Sequence, residues 1–204
     1  MSDAPAEPAA ANDVRPASRS AARRSWLFWV AALAIFAGDL TTKSIVFGRL
    51  DVDPTAFTSY EDFIRRRPAD RIELLGDHVQ LVATLNPGMM WGALDRYPGL
   101  LKVVRPLAVL VILLLLGSIP AEQWTSRLAL GGILGGALGN IYDSFRYIGV
   151  RDFLEVRFRG VPVLDPFPAF NLADSAICVG VVVLALGMMR APKEAPRPAA
   201  PAAS

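Results

Sequence analysis

The sequence predicts an all-α membrane protein with four transmembrane helices. Three observations support this: four apolar runs of roughly 20 residues, a composition of 53% hydrophobic residues with positive mean hydropathy, and termini rich in Ala and Pro. A soluble domain of 204 residues rarely has so apolar an average, because it must cover itself with polar surface. The net charge of +2, without a Lys/Arg stripe interleaved with aromatics, argues against a nucleic-acid partner.

The four apolar runs lie between two tails that we expect to be disordered and cytoplasmic. At about 1.5 Å per residue, each run is long enough to cross a hydrocarbon core of about 30 Å. Residues 1–24 and 191–204 are too polar and Pro-rich to bury a core. The spans are residues 25–48, 100–119, 126–145 and 169–189, and they form one domain, residues 25–190, with loops 49–99 and 146–168.

Span one follows the Arg23–Arg24 pair, which raises the alternative of a cleaved signal peptide. No small-x-small cleavage site follows, and the run continues into Asp39 and Lys43, so we expect span one to stay in the protein. The i,i+4 spacing of Asp39 and Lys43 favours an ion pair on one side of the helix.

The first loop contains a pattern typical of a strand. In "HVQLVATL", residues Val79, Leu81, Ala83 and Leu85 alternate with other residues and would share one face. In span three, glycines at small-xxx-small spacing predict close packing against neighbouring helices. These glycines are Gly131, Gly132, Gly135, Gly136 and Gly139.

Alternating spans would bring most of the unexplained polar residues to one side of the membrane. Such residues are expensive in lipid and are candidates for function. The basic segment "RPASRSAARR" before span one favours a cytoplasmic N-terminus, which would place the polar group outside. Its members are Asp39, Lys43, Asn86, Asp143, Asp152, Asn171 and Asp174.

Three of these carboxylates each allow a structural interpretation. Asp174 follows Asn171 at the spacing of a helix N-terminus, Asp152 could be a solvated loop acid beside Arg151, and Asp143 could end its helix. Alternatively, two carboxylates in a low dielectric can share a proton and activate water. With one cysteine and one histidine, the chain has no pattern typical of a zinc site.

Four motifs of this chain resemble those of lipoprotein signal peptidase (signal peptidase II), the bacterial membrane aspartic protease family. The motifs are "GDLTTKSIV", "LNPGMMWGAL", "GGALGNIYDSFRYIGVRDFLEV" and "FPAFNLADSAICVG". The resemblance implies a four-helix bundle with a small extracytoplasmic β-cradle and a short amphipathic helix. It also implies a multi-pass protein of the bacterial cytoplasmic (inner) membrane, with the active site near the outer face.

The same resemblance implies that Asp152 and Asp174 are the catalytic pair. The implied substrate is a diacylglyceryl-modified prolipoprotein, cut just before its lipidated cysteine without a metal or other cofactor. Membrane lipid and cyclic-peptide inhibitors of the globomycin type are further implied partners. Residues implied to bind substrate or support the site are Asp39, Lys43, Asn86, Gly88, Asn140, Asp143 and Asn171.

The chain departs from the family pattern at several positions. Leu40 stands where a glutamine is usual, Ser144 where an arginine is usual, and Met90–Trp91 where Ala-Phe is usual. Without that arginine, Arg146 or Arg151 would have to supply the charge. The first loop is extended around residues 50–72.

Two other functions fit the composition. A small transporter or proton-relay protein would spread polar residues through the depth of the bilayer. The polar residues instead crowd one face, and spans two and four are expected to have apolar interiors apart from Cys178. A relative that binds lipoproteins without cutting them is disfavoured by the presence of both acids.

Overall fold

A computed structural model describes residues 19–88, 98–161, 164–165 and 167–190. Long helices and a small antiparallel sheet make up this part of the chain. The helices are α1 (Arg19–Arg49), α2 (Tyr60–Arg65), α3 (Pro98–Ser118), α4 (Trp124–Arg146) and α5 (Leu172–Arg190), with a 3₁₀ turn at Pro54–Ala56. The strands are β1 (Ile72–Leu75), β2 (Val79–Asn86), β3 (Val150–Val156) and β4 (Phe167–Phe170).

The long helices match the predicted spans, with two differences at their starts. Helix α1 begins at Arg19, so it includes residues 19–24, which composition assigned to the tail. Helix α5 begins at Leu172, three residues after the predicted start, because Phe167–Phe170 forms β4 instead. Within the described chain, Trp26–Arg49 and Gly99–Ser118 are long and apolar enough to cross a membrane, and Leu172–Gly187 is a shorter apolar helix.

Helix α4 is the centre of the bundle and contacts α1, α3 and α5. A Cβ atom on Gly136 would lie 2.6 Å from the carbonyl oxygen of Ala173 in α5, and side chains at Gly131 and Gly135 would overlap backbone carbonyls of α1. These glycines therefore pack as predicted. Gly132 is an exception, since a Cβ atom there would lie in open space. Helix α4 is less apolar than α3 and α5. Its many small residues suit a helix that is enclosed by other helices.

The helices run in the alternating directions that the sequence predicted. Phe28 lies next to Gly131 and Asp39 lies next to Gly139, so α1 and α4 are parallel. Ala173 of α5 lies next to Gly136 and Gly180 lies next to Ala129, so α5 runs opposite to α4. The polar ends of α1, α4 and α5 consequently meet at one end of the bundle.

The sheet lies at this same end, with strand order β1-β2-β3-β4 and all neighbours antiparallel. The predicted strand is present as β2, but its register shifts between Leu81 and Thr84, so the simple alternation does not hold along its whole length. One hydrophobic cluster joins the end of α1 to the sheet and to α2. Its buried members are Val46, Phe47, Leu50, Val52, Phe63, Ala83, Leu85 and Phe153.

Candidate active site

A cavity of about 240 Å³ opens where the helix bundle meets the sheet. Polar groups from five different elements or their flanking turns face it, alongside an apolar wall from β3 and β4. A mixed lining of this kind suits a ligand with both apolar and polar parts. The lining residues are Asn86, Gly88, Arg105, Asn140, Val150, Asp152, Ala169, Phe170 and Asp174.

The two predicted catalytic acids reach this cavity from different elements. Asp152 lies on β3, paired across the ladder with Thr84, and it is buried. Asp174 lies in the first turn of α5, where its Oδ2 accepts a hydrogen bond from the Asn171 backbone N–H at 3.2 Å. The Asp174 N–H in turn donates to Asn171 Oδ1 at 2.9 Å. This reciprocal capping fixes Asp174 at the helix start, so the structural interpretation of this residue is correct and is compatible with a place in the cavity.

Three asparagine amides hold the two carboxylates. Asn171 Nδ2 donates to Asp152 Oδ1 at 2.6 Å, and Asn86 Nδ2 donates to Asp152 Oδ2 at 3.1 Å. Asn140 Nδ2 donates to Asp174 Oδ1 at 2.8 Å, and Asn171 Nδ2 also reaches Asn140 Oδ1 at 3.3 Å. The amides therefore orient both acids without placing a cation directly on either one.

The environment of Asp152 favours its protonated form. Burial, together with the negative charge of Asp174, raises the pKa of this carboxyl to about 8. Hydrogen bonds from Asn86 and Asn171 and the charge of Lys43 act in the opposite direction and are outweighed. A protonated acid beside a second carboxylate is the arrangement that lets one group donate a proton while the other accepts one.

A second polar group lies behind the cavity and is fully buried. Lys43 Nζ lies 2.6 Å from Asp39 Oδ2 and 3.2 Å from Asp143 Oδ2, and all three side chains have no exposed surface. Arg151 Nη2 lies 2.8 Å from Asp143 Oδ1. Two cations thus neutralise two carboxylates, and the predicted Asp39–Lys43 ion pair is present. We call these four residues the ion cluster.

The ion cluster is connected to the acids through the backbone and one amide. Asp39 Oδ1 accepts from the Ala173 N–H at 2.9 Å, which ties α1 to the start of α5. Lys43 Nζ donates to Asn140 Oδ1 at 3.0 Å, so the Asn140 amide is oriented with its Nδ2 towards Asp174. The cluster therefore positions the groups that line the cavity.

The predicted site residues fall into two sets. Asn86, Gly88 and Asn140 line the cavity with the two acids. The others, Asp39, Lys43, Asp143 and Asn171, support the cavity from behind. Gly88 is placed by its N–H, which donates to Asn86 Oδ1 at 3.0 Å. Met90–Trp91 lie outside the described residues.

Arg105 is a site residue that the sequence analysis missed. It lies on α3, which was expected to be apolar inside, and it lines the cavity. Of the two arginines suggested to replace the missing family arginine, Arg151 binds Asp143 and Arg146 lies over the Tyr147 ring. The charge of Arg105 could have identified it from the sequence, because an arginine within an apolar span is energetically costly unless it has a partner or a function.

Comparisons with known proteins agree with the motifs. The family model for signal peptidase (SPase) II matches residues 31–190. The chain belongs to the signal peptidase II family. A lipoprotein signal peptidase of Desulfitobacterium hafniense is 32% identical over 166 residues, which cover 80% of this chain and 93% of the relative. A lipoprotein signal peptidase of Moorella thermoacetica is 35% identical over 118 residues, 58% of this chain and 73% of the relative.

The fold agrees with solved structures of a bacterial membrane enzyme. One structure superposes with a TM-score of 0.62 at 20% sequence identity. The superposed region covers 81% of this chain and 92% of the chain in that structure. A second superposes with a TM-score of 0.60 over 79% and 91%. Both support a helical membrane fold with a small antiparallel sheet. As a member of the signal peptidase II family, the chain is a membrane aspartic protease.

Proposed function

We propose that this protein removes signal peptides from diacylglyceryl-modified prolipoproteins, with Asp152 and Asp174 as the catalytic pair. The family match supports the activity. The observation that carries the residue assignment is that both acids line one cavity and are held by neutral amides. Asp143, by contrast, forms ion pairs with Lys43 and Arg151.

The proposed reaction uses one protonated and one ionised acid. Asp152 keeps its proton and donates a hydrogen bond to the scissile carbonyl oxygen, while Asp174 takes a proton from the attacking water. A tetrahedral intermediate forms as water oxygen bonds to the carbonyl carbon. The carbon–nitrogen bond then breaks, and the leaving amine receives a proton from the pair. The new carboxylate belongs to the released signal peptide, and the new amine to the lipidated cysteine.

The membrane arrangement is part of the same proposal. Helices α1, α3, α4 and α5 would each span the bacterial cytoplasmic membrane, with both termini cytoplasmic. The sheet would then form a cradle at the outer face, above the acids. The basic segment before α1 supports this orientation. The apolar wall made by Val150, Ala169 and Phe170 would face the lipid-bearing part of the substrate.

Lipid dependence tests the proposed activity. We expect the purified protein, in detergent or bilayers, to cut a diacylglyceryl-modified prolipoprotein peptide just before the modified cysteine. The same peptide with an unmodified cysteine is the matched control and should remain uncut. Mass spectrometry of the products identifies the cleaved bond. The proposal would be contradicted by a cut at another bond, by equal cleavage of both peptides, or by no cleavage of either. The last result would favour a protein that binds lipoproteins without cutting them, or a proton-relay protein.

The pKa of Asp152 predicts how the rate depends on pH. Because the pKa of Asp152 in the free enzyme is raised to about 8, we expect kcat/KM to fall as the pH rises through about 8. The same proton stabilises the folded state. This contribution is fully present below the ordinary aspartate pKa of about 4 and is lost as the pH rises through about 8. Thermal unfolding measured at each pH separates the two effects, and a kcat/KM that stays constant well above that pH would contradict the assignment of the proton to Asp152.

A further inference from the structure

Arg105 brings a positive charge into the cavity from α3. Its Nη2 donates to the carbonyl oxygen of Gly88 at 3.0 Å, and its Nη1 donates to Ser144 Oγ. The same cavity is lined by Asp152 and Asp174. Arg105 thus lies between the turn after β2, the last turns of α4 and the two acids.

Within the described part of the chain, no carboxylate lies directly on the guanidinium of Arg105. Among the residues that the structure describes, its hydrogen-bond partners are the two neutral oxygens just named, and no ion pair includes it. Asp174 and Asp152 act on it only through longer-range attraction. A guanidinium carries more N–H donors than these two bonds use. The remaining donors belong to a partly buried side chain at the cavity wall.

Ser144 holds the guanidinium in one orientation. The Ser144 hydroxyl donates to the carbonyl oxygen of Asn140 at 2.6 Å and therefore presents its oxygen lone pairs to Arg105. Ser144 is also the position at which the chain departs from the family pattern, where arginine is usual. Because serine is small, the Arg105 side chain on α3 can occupy space that an arginine at position 144 on α4 would otherwise fill.

We propose that Arg105 is a substrate-binding residue whose guanidinium donates hydrogen bonds to a carbonyl oxygen of the bound prolipoprotein. This rests on the proposed function. A prolipoprotein presents two sources of carbonyl oxygen near the cut, the peptide backbone and the fatty-acid esters of its diacylglyceryl group. A planar, weakly hydrated guanidinium suits such neutral acceptors next to an apolar wall. Ser144 acts as the positioning residue for Arg105.

The first test separates binding from chemistry. Arg105→Met should raise the KM for the lipidated peptide about tenfold or more, the effect of losing a charged hydrogen bond, while kcat changes by less than about threefold. Lys102→Met is the matched control, because Lys102 is an exposed cation on the same helix that lies over the Phe145 ring. It should leave KM unchanged. An unchanged KM in Arg105→Met, with wild-type cleavage intact, would overturn this inference and leave the proposed function standing.

A second variant tests where the cation must be. Adding Ser144→Arg to Arg105→Met returns a guanidinium to the cavity from α4, and we expect it to restore KM to within about threefold of wild type. A structural role of Arg105, as a tether of Gly88 alone, predicts no rescue, so a double variant as weak as Arg105→Met would count against substrate binding.

A third comparison distinguishes the two carbonyl sources. A substrate with ether-linked chains lacks the ester carbonyls. If Arg105 binds an ester carbonyl, the KM of wild type for the ether-linked substrate should be about as high as the KM of Arg105→Met. The KM of Arg105→Met should then be the same for the ether-linked and the ester-linked substrate. If Arg105 binds the peptide, the ratio of KM values between variant and wild type should be the same for both substrates. Wild type that cleaves neither lipidated substrate would refute the proposed function itself.

Discussion

Asp152→Asn and Asp174→Asn are each expected to lower the rate of signal-peptide cleavage by a factor of about 10²–10⁴ or more, because each removes one of the two groups that transfer protons. Both variants should remain folded. Asparagine at position 152 has the neutral charge of the protonated acid that burial favours. Its single side-chain oxygen can accept from only one of the two amides, Asn171 or Asn86, so we expect a loss of about 1–3 kcal/mol in the free energy of unfolding. Asparagine at position 174 can still accept the Asn171 N–H at the start of α5.

Single-turnover cleavage of the lipidated peptide and thermal unfolding in the same detergent measure the two properties. Asp70→Asn, a substitution of an exposed loop acid, is the matched control and should leave both unchanged. Cleavage at the wild-type rate by either variant would remove that residue from the catalytic pair. A large fall in unfolding temperature would mean that the lost activity reports folding.

Lys43→Met is expected to produce the largest loss of stability. Lys43 is fully buried between Asp39 and Asp143, and methionine would leave two buried carboxylates with only Arg151 to neutralise them. Breaking a buried ion pair by removing one partner costs about 3–5 kcal/mol. For a chain of this length, that corresponds to a fall in Tm of about 10 °C. Cleavage should also fall, because Asn140 loses the Lys43 N–H that orients its amide.

The double variant Lys43→Met, Asp39→Asn tests the cause. It restores the balance to one cation and one carboxylate, and the amide oxygen introduced by Asp39→Asn can still accept from the Ala173 N–H. We expect it to recover a substantial part of the lost stability. Lys102→Met, which removes an exposed lysine, should change the free energy of unfolding by less than about 0.5 kcal/mol. A Tm for Lys43→Met equal to that of wild type would contradict the importance assigned to the ion cluster.

The main features of the bundle could be predicted because a helix that crosses a lipid bilayer must be about 20 residues long and mostly apolar. Apolar runs located the four long helices, alternation of direction placed their polar ends together, and the i,i+4 spacing paired Asp39 with Lys43. Spacing alone did not distinguish Asp143 from Asp152 as a candidate acid. The resemblance favoured Asp152, and the contacts now give a physical reason, since Asp143 already binds two cations whereas Asp152 is held by amides.

Other features depend on packing that one sequence does not display. Phe167–Phe170 overlaps the predicted fourth span, residues 169–189, so its pairing with β3 was hidden until the sheet was known. The shifted register of β2 depends on its partner β3 in the same way. Arg105 reaches the cavity only because α3 turns that side towards Ser144 on α4, which hydropathy along α3 does not reveal.

The hydrogen bond from the Ala173 N–H to Asp39 joins α1 to α5, two helices that are far apart in the sequence. During synthesis, Asp39 and Lys43 leave the ribosome before Asp174 and its capping partner Asn171, because α1 precedes α5 in the chain. A nascent chain that lacks α5 holds Asp152 without its partner acid and without the Asn171 amide that orients it. Under the proposed mechanism, a chain that lacks α5 is therefore proteolytically inactive, and activity appears only after α5 has been made and inserted.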